Sequence, residues 1–339
     1  MRDRSSGRAV RAASGGRVEA GKIEKDRVGG IDLGGFALVI GSAFCYSVLG
    51  ILGKVAYEQR MPFVSLLAMR FTIAAALLII IVICSARLRE AWRLLPRRRA
   101  RALVLWGVFG FAGQSSLYFS ALRTISASLN EVLLYTCPAF LALIVWGMSR
   151  RRPPATRLLA IGLALLGTWI CAGPIDRRSD LIGVGLAVLA GLWYASFLLV
   201  LDRITPGVPG LLSGALMVTG AALAFDAGAL LTGERSLPKT PIAWGVVLGM
   251  VFCATLLGFV LFVVGMKRVG PQVASILSTF EPLGTLFLAA TLLGERLLPA
   301  QWLGAALILT AALVLAMSGG ARRLTVETAA RNIEASAQR

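Results

Sequence analysis

Histidine is absent from all 339 residues. That removes the commonest proton carrier and metal ligand available at neutral pH. Cysteine is scarce: Cys45, Cys84, Cys137, Cys171 and Cys253 all lie inside apolar stretches. None forms a CxxC pair or a spaced framework, so they read as small buried apolar residues. Without histidine or paired cysteines no metal-ligand set can be assembled. No glycine-rich phosphate loop occurs either, which argues against direct drive by ATP. No nucleophile or catalytic constellation stands out, so neither an enzyme nor a cofactor is expected. Charge is thin as well: Asp, Glu, Lys and Arg make up 15% of the chain, against about 25% in soluble domains. Residues 1–33 are polar and lack the early apolar core of a signal peptide. They are expected to form a disordered basic cytoplasmic tail, and 319–339 a second cytoplasmic tail.

What is abundant is apolar surface, at 57% of residues. It is divided into ten blocks, at about 34–56, 63–86, 102–122, 126–148, 156–173, 181–202, 210–232, 242–266, 272–293 and 300–318. Each is close to the roughly 20 residues that a membrane-crossing helix needs. Backbone polar groups in lipid must be satisfied within the segment, so the blocks are expected to be helices. The fold class is therefore an all-α polytopic membrane protein with ten transmembrane helices. Its net charge of +18 fits topology better than nucleic acid, because the basic residues cluster between the apolar blocks. With the N-terminus inside, the inside segments hold 26 Lys and Arg and the outside ones 7. Both termini are then expected to be cytoplasmic.

The two halves echo each other. At an offset of 144 residues Leu117 falls on Leu261, Tyr118 on Phe262, Arg123 on Lys267 and Pro138 on Pro282. At 148, Gly35 falls on Gly183 and Tyr46 on Tyr194. Five helices per half is an odd number, so the second half enters the membrane from the opposite side. Two inverted five-helix repeats, 34–173 and 181–318, are expected, an arrangement used for alternating access to a midplane site.

Within this frame the polar residues at membrane depth carry the chemistry. Glu281 lies mid-way along the ninth block, where a charged acid costs about 2.5–3.5 kcal/mol on insertion scales. Pro282 beside it breaks the helix and frees the Ser278 carbonyl. Ala274, Ser278, Glu281 and Thr285 are expected to share one helical face. The face reads as a cavity wall bearing a substrate- or proton-binding acid; a buried acid bonded only to its neighbours is the bland alternative. Pro138 is the counterpart break and frees the Leu134 carbonyl. Lys54, Arg70 and Glu131 suit an ion-paired outer gate, or equally three side chains reaching for headgroups. Gln114 and Tyr118 share a polar face. Tyr46, Trp193 and Tyr194 are mid-helix aromatics, suited to stacking on a solute or simply to helix packing. Asp226 sits nearer the outer end of the seventh block. Glycines such as Gly107, Gly110 and Gly113 fit close helix packing.

These motifs resemble the EamA-type carriers of the drug/metabolite transporter superfamily. The most specific stretch holds Glu281-Pro282-Leu283, then Leu-Leu-Gly-Glu-Arg-Leu at 292–297 and Gln-Trp-Leu-Gly-Ala-Ala-Leu-Ile-Leu at 301–309. Met69-Arg70-Phe71 belongs to the fainter first copy. The resemblance implies a multi-pass carrier of the plasma (inner) membrane. It would export a small organic metabolite, such as an amino acid or drug-like solute. A lipid or nucleotide-sugar carrier of the same superfamily is the alternative. By this analogy Tyr46, Gln114, Tyr118, Tyr135, Trp193, Tyr194, Ser278 and Glu281 are placed near the substrate cavity. Glu281 doubles as the proton-coupling candidate. The partners implied are the bilayer, the solute and protons, with no nucleic acid. Glu295 is expected to serve as the N-terminal anion of the tenth helix, favoured by its dipole. Arg151 stands at the matching place in the first half, so the two halves are not expected to be used symmetrically.

Overall fold

The computed structural model describes residues 27–28, 31–149, 154–172, 178–234, 236–269, 274, 277–278 and 280–314. The expectations for residues 1–26, the C-terminal tail and Arg151 lie outside them. The described chain is almost wholly helical. It opens on a short antiparallel pair, β1 (Arg27–Val28) with β2 (Ile31–Asp32). Asp32 then accepts from the Gly35 amide at 2.9 Å and caps α1, Leu33–Glu58. There follow α2 (Phe63–Cys84), the short α3 (Ala86–Leu94) and α4 (Arg97–Leu122). Next come α5 (Ala127–Leu134), α6 (Cys137–Ser149) and α7 (Ala155–Ala172). The second half holds α8 (Arg178–Ile204), α9 (Gly210–Thr232), α10 (241–269), α11 (Phe280–Leu292) and α12 (Pro299–Val314). Prolines 62, 96, 209 and 241 stand at helix starts, where the missing amide costs nothing.

Among the described residues seven helices are long and apolar enough to cross a membrane, α5 and α6 counting as one of them. Three shorter apolar helices, Leu158–Ile170, Phe280–Leu292 and Pro299–Val314, accompany them. The chain is a multi-pass membrane protein.

Packing runs mainly between the halves. Helix α2 lies along α9, with Phe71 stacked on Phe225 at 5.5 Å. Helix α1 packs on α10 and α11, while α4 packs on α8 and α8 on α5 and α6. Helices α7 and α12 touch where Gly167 faces the Gly304 carbonyl. Glycine is required at the crossing of α4 and α9. A Cβ on Gly107 would run into the Met217 carbonyl, and one on Gly220 into the Val104 carbonyl.

Two helices widen locally into π turns: α4 at Gly107–Phe111 and α10 at Met250–Leu257. At the 144-residue offset the first segment falls on 251–255, inside the second. Such widenings recur at functional sites because they displace backbone groups from the regular ladder.

Candidate functional site

Two helix breaks frame the site. The chain turns at Tyr135 and Thr136 between α5 and α6, and Pro138 stands in the first turn of α6. It turns again at Ser278, and Pro282 stands in the first turn of α11. The expected continuous ninth helix over 272–293 is therefore not what forms. The helix restarts at Phe280, so Ala274 and Ser278 do not share one unbroken face with Glu281 and Thr285. Proline explains the restart: it has no amide to give and is tolerated in a first turn.

The breaks are joined across the halves. The Tyr135 hydroxyl lies 2.7 Å from the Ser278 carbonyl and 3.0 Å from Glu281 Oε2. It has one hydrogen for two acceptors. The Ser278 carbonyl also accepts from the Glu281 amide at 3.0 Å, so the hydroxyl hydrogen is free to go to either acceptor. Ser47 of α1 donates to the Glu281 carbonyl at 2.7 Å, and Thr285 donates to the Ser47 carbonyl at 3.3 Å. On the other side the freed Leu134 carbonyl faces Gly191 of α8. Tyr46 and Tyr194 are both within electrostatic range of Glu281.

A second acid lies deeper. Glu131 is 3% exposed and accepts from the Tyr118 hydroxyl at 2.8 Å through Oε2, while Oε1 has no partner. Its neighbour Asn130, fully buried, donates to the Tyr118 carbonyl at 3.2 Å and leaves Oδ1 unpaired. Unpaired buried acceptors are uncommon and costly. Arg70, 4% exposed, does not reach Glu131 as a gate partner. Its Nε donates to Thr255 of the α10 π turn at 3.3 Å, and its guanidinium lies over the Phe71 ring at 4.9 Å. The aromatic faces and the hydroxyl take the place of the expected carboxylate. Arg70 remains within electrostatic range of Tyr46 and Tyr118.

The structure thus gathers Tyr46, Tyr118, Tyr135, Tyr194, Ser278, Glu281, Glu131 and Arg70 into one region, and separates two others from it. The Trp193 indole donates to the Gly110 carbonyl at 3.0 Å and its ring covers Gly113. It seals the α4 π turn, pointing away from its neighbour Tyr194, as adjacent helical residues do. Lys54 lies toward Glu295 and Glu58, not the Glu131 that the gate reading required. Gln114 is half-buried on the Tyr118 face of α4. Asp226 accepts from Thr72 at 2.7 Å and ties α9 to α2.

Glu295 holds a different helix from the one expected. Its carboxylate accepts from the Ala127 amide at 2.8 Å, the Ser128 amide at 3.0 Å and the Ser128 hydroxyl at 2.8 Å. It therefore caps α5, the helix that bears Glu131, from the other half of the chain. The start of α12 is served by Gln301, whose side chain accepts from the Leu298 amide at 3.0 Å. A helix dipole favours an acid at its N-terminus, and the loop after α11 points Glu295 at that of α5. Ser47, Asn130 and Thr255 are the further site residues that sequence reasoning missed. Only Asn130 carried a signal, as an amide beside an acid in an apolar run.

Surface cavities of about 270 and 310 Å³ lie at helix ends, one beside Arg99 and Val208 and one beside Met61 and Phe63. Neither includes the Glu281 cluster.

Comparison with known proteins is consistent across the whole helical region. The chain is 26% identical over 280 residues to the uncharacterized transporter YwfM of Bacillus subtilis, covering 82% of this chain and 92% of that one. It is 26% identical over 219 residues to the threonine/homoserine exporter RhtA of Salmonella typhimurium, covering 62% and 70%. A solved structure described as "Crystal structure of protein" superposes with a TM-score of 0.59 at 20% identity, over 86% of this chain and 98% of that one, which speaks to the fold alone. The model of the EamA-like transporter family matches twice, at residues 33–172 and 181–317. Two matches side by side, on a helical chain whose halves interlock around one polar cluster, make this chain a member of the EamA-like transporter family.

Proposed function

We propose that the protein is a secondary carrier that exports a small organic solute across the plasma membrane by alternating access. In this reading ten helices cross the bilayer as two inverted five-helix repeats, with both termini cytoplasmic. The repeats correspond to 34–173 and 181–318, flanked by polar tails at 1–33 and 319–339. Three observations support it. The π turns and the helix breaks recur at one sequence offset. The packing pairs exchange in a two-fold pattern: α1 with α10 answers α4 with α8, and α1 with α11 answers α5 and α6 with α8. The arginine and lysine bias favours an inside location for both ends.

The observation that carries the site is the Tyr135 contact with Ser278 and Glu281. It joins the two helix breaks, one from each repeat, at the place where a rocking motion would separate them. The solute binds there, among Tyr46, Tyr135, Tyr194, Ser278 and Glu281, with Gln114 and Tyr118 on the adjoining wall. A polar solute carrying an amino group suits this setting: it offers hydrogens to Glu281 and to the Ser278 carbonyl. The relationship to a threonine/homoserine exporter points to solutes of amino-acid size moving outward. Glu281 carries the coupled proton in this reading, as the acid placed where the two breaks meet.

Purified protein warmed in the presence of amino acids, nucleotide sugars and lipids tests the solute class. Stabilisation by an amino acid, lost in Tyr135→Phe, is expected; stabilisation only by nucleotide sugars or lipids overturns it. Vesicles reconstituted with Glu281→Gln test the coupling. Transport that still follows a pH gradient as strongly as in the wild type would falsify the role of Glu281.

A further inference from the structure

We propose that α3 and the start of α4 form a binding site for the headgroup of an anionic phospholipid. The segment 85–101 carries seven arginines, at 87, 89, 93, 97, 98, 99 and 101, against the single acid Glu90. Such a density of one sign calls for an anionic partner. The apolar side chains say which kind. Leu88 is buried, but Trp92 is 47% exposed and Leu94 76% exposed among the arginines. A free anion offers nothing to those two side chains, whereas a bilayer surface takes up the indole, the leucine and the guanidinium groups together. Helix α3 also sits where such a surface would be, between the long apolar helices α2 and α4.

The cavity of about 270 Å³ at this end supplies the seat. Leu94, Leu95 and Arg99 line one side, and Gly207 and Val208, from the turn between α8 and α9, line the other. Arg99 crosses it to donate to the Pro206 carbonyl at 3.2 Å through Nη1. A guanidinium has five N–H donors, so this bond leaves Arg99 able to hold a phosphate oxygen as well. Walls of leucine and valine accept the glycerol and the first methylenes. The two walls belong to different halves of the chain, so a lipid seated there bridges them.

The test uses purified full-length protein in neutral detergent, with phosphatidylglycerol or phosphatidylcholine added at equal mole fraction. Phosphatidylglycerol is expected to raise the unfolding midpoint and to be retained in native mass spectra, and phosphatidylcholine to do neither. Arg93→Gln/Arg97→Gln/Arg99→Gln is expected to lower phosphatidylglycerol retention at least tenfold, whereas Arg123→Gln, at the opposite end of α4, leaves it unchanged. Equal effects of the two lipids, or full retention by the triple variant, overturn the proposal. Stabilisation by inorganic phosphate equal to that by phosphatidylglycerol also overturns it, because the ligand is then the free anion. Should the triple variant not fold, selectivity is read on the wild type from spin-labelled phosphatidylglycerol and phosphatidylcholine. Equal immobilisation of the two labels is the negative result. No outcome depends on the transported solute.

Discussion

The Tyr135 hydroxyl meets Glu281 Oε2 at 3.0 Å, across 146 positions of sequence and from one half of the chain to the other. The same oxygen lies 2.7 Å from the Ser278 carbonyl, which Pro282 cannot serve and which accepts from the Glu281 amide at 3.0 Å. One side chain therefore binds both irregular features of the second break.

Tyr135→Phe removes both contacts and keeps the ring. The Ser278 carbonyl keeps the Glu281 amide, but Glu281 Oε2 loses its tyrosine donor, a loss of about 1–3 kcal/mol for an enclosed acceptor. The variant is expected to unfold at a lower temperature than the wild type. Ser278→Ala is expected to be nearly neutral, because Tyr135 engages the backbone carbonyl of Ser278 and the hydroxyl of that serine donates to Ala274 within its own turn. Thermal unfolding of the two variants in detergent compares them directly; equal losses would show that the carbonyl contact contributes nothing.

The Tyr118–Glu131 pair is expected to be coupled. Glu131 Oε1 already lacks a partner, so Tyr118→Phe strands the whole carboxyl group. In a Glu131→Leu background the same change strands nothing. A double-mutant cycle on unfolding free energy should give a coupling of about 0.5–3 kcal/mol. An additive result means that the hydroxyl and the carboxyl act independently.

Glu295 caps α5 with three hydrogen bonds, and the helix it holds carries Glu131. Glu295→Ala should cost about 0.5–2 kcal/mol, the usual range for a lost N-cap. Ser126 caps the same helix locally through the Leu129 amide at 3.1 Å. Glu295→Ala and Ser126→Ala together are therefore expected to cost more than either alone. If Glu295→Ala leaves the midpoint unchanged while Ser126→Ala lowers it, the local cap alone holds the helix.

Seven long apolar helices could be read from the sequence because lipid demands such helices with internal hydrogen bonds. Glu281, Pro138 and Pro282 were legible for the same reason: each is expensive in such a helix unless it has work or a break to make. What could not be read was partnership across the halves. Arg70 had a plausible acid in Glu131, yet Thr255 and two phenyl rings are what the fold brings to it. Glu295 had a plausible helix just ahead of it in sequence, yet the first turn of α5 is nearer in space. The π turns have no residue signature beyond scattered glycines, so the displaced groups that engage Trp193 and Arg70 could not be anticipated. Trp193 itself shows the limit of a residue-type argument. A mid-helix indole suits a solute or a neighbouring helix equally well, and only the Gly110 and Gly113 contacts decide between them.

The last expectation concerns the crossing of α4 and α9, where the two backbones approach too closely for any side chain. A Cβ at Gly220 would meet the Val104 carbonyl and the Gly107 Cα, the latter at 3.0 Å. Backbone cannot rotate away as a side chain tip can, so Gly220→Ala must push the helices apart. That loosens the α2–α9–α4 packing around Phe71 and Phe111, whose rings meet at 5.2 Å. Overpacking of this kind typically costs about 1–3 kcal/mol. Gly162 and Gly185 are the controls, since a Cβ at either meets nothing within 4 Å. Alanine at those two sites should be neutral or stabilising by up to about 1 kcal/mol, because it removes backbone freedom from the unfolded chain. Unfolding midpoints of the three alanine variants measure the contrast. Were Gly220→Ala as stable as Gly162→Ala, the α4–α9 crossing would have to be looser than the backbone contact described here.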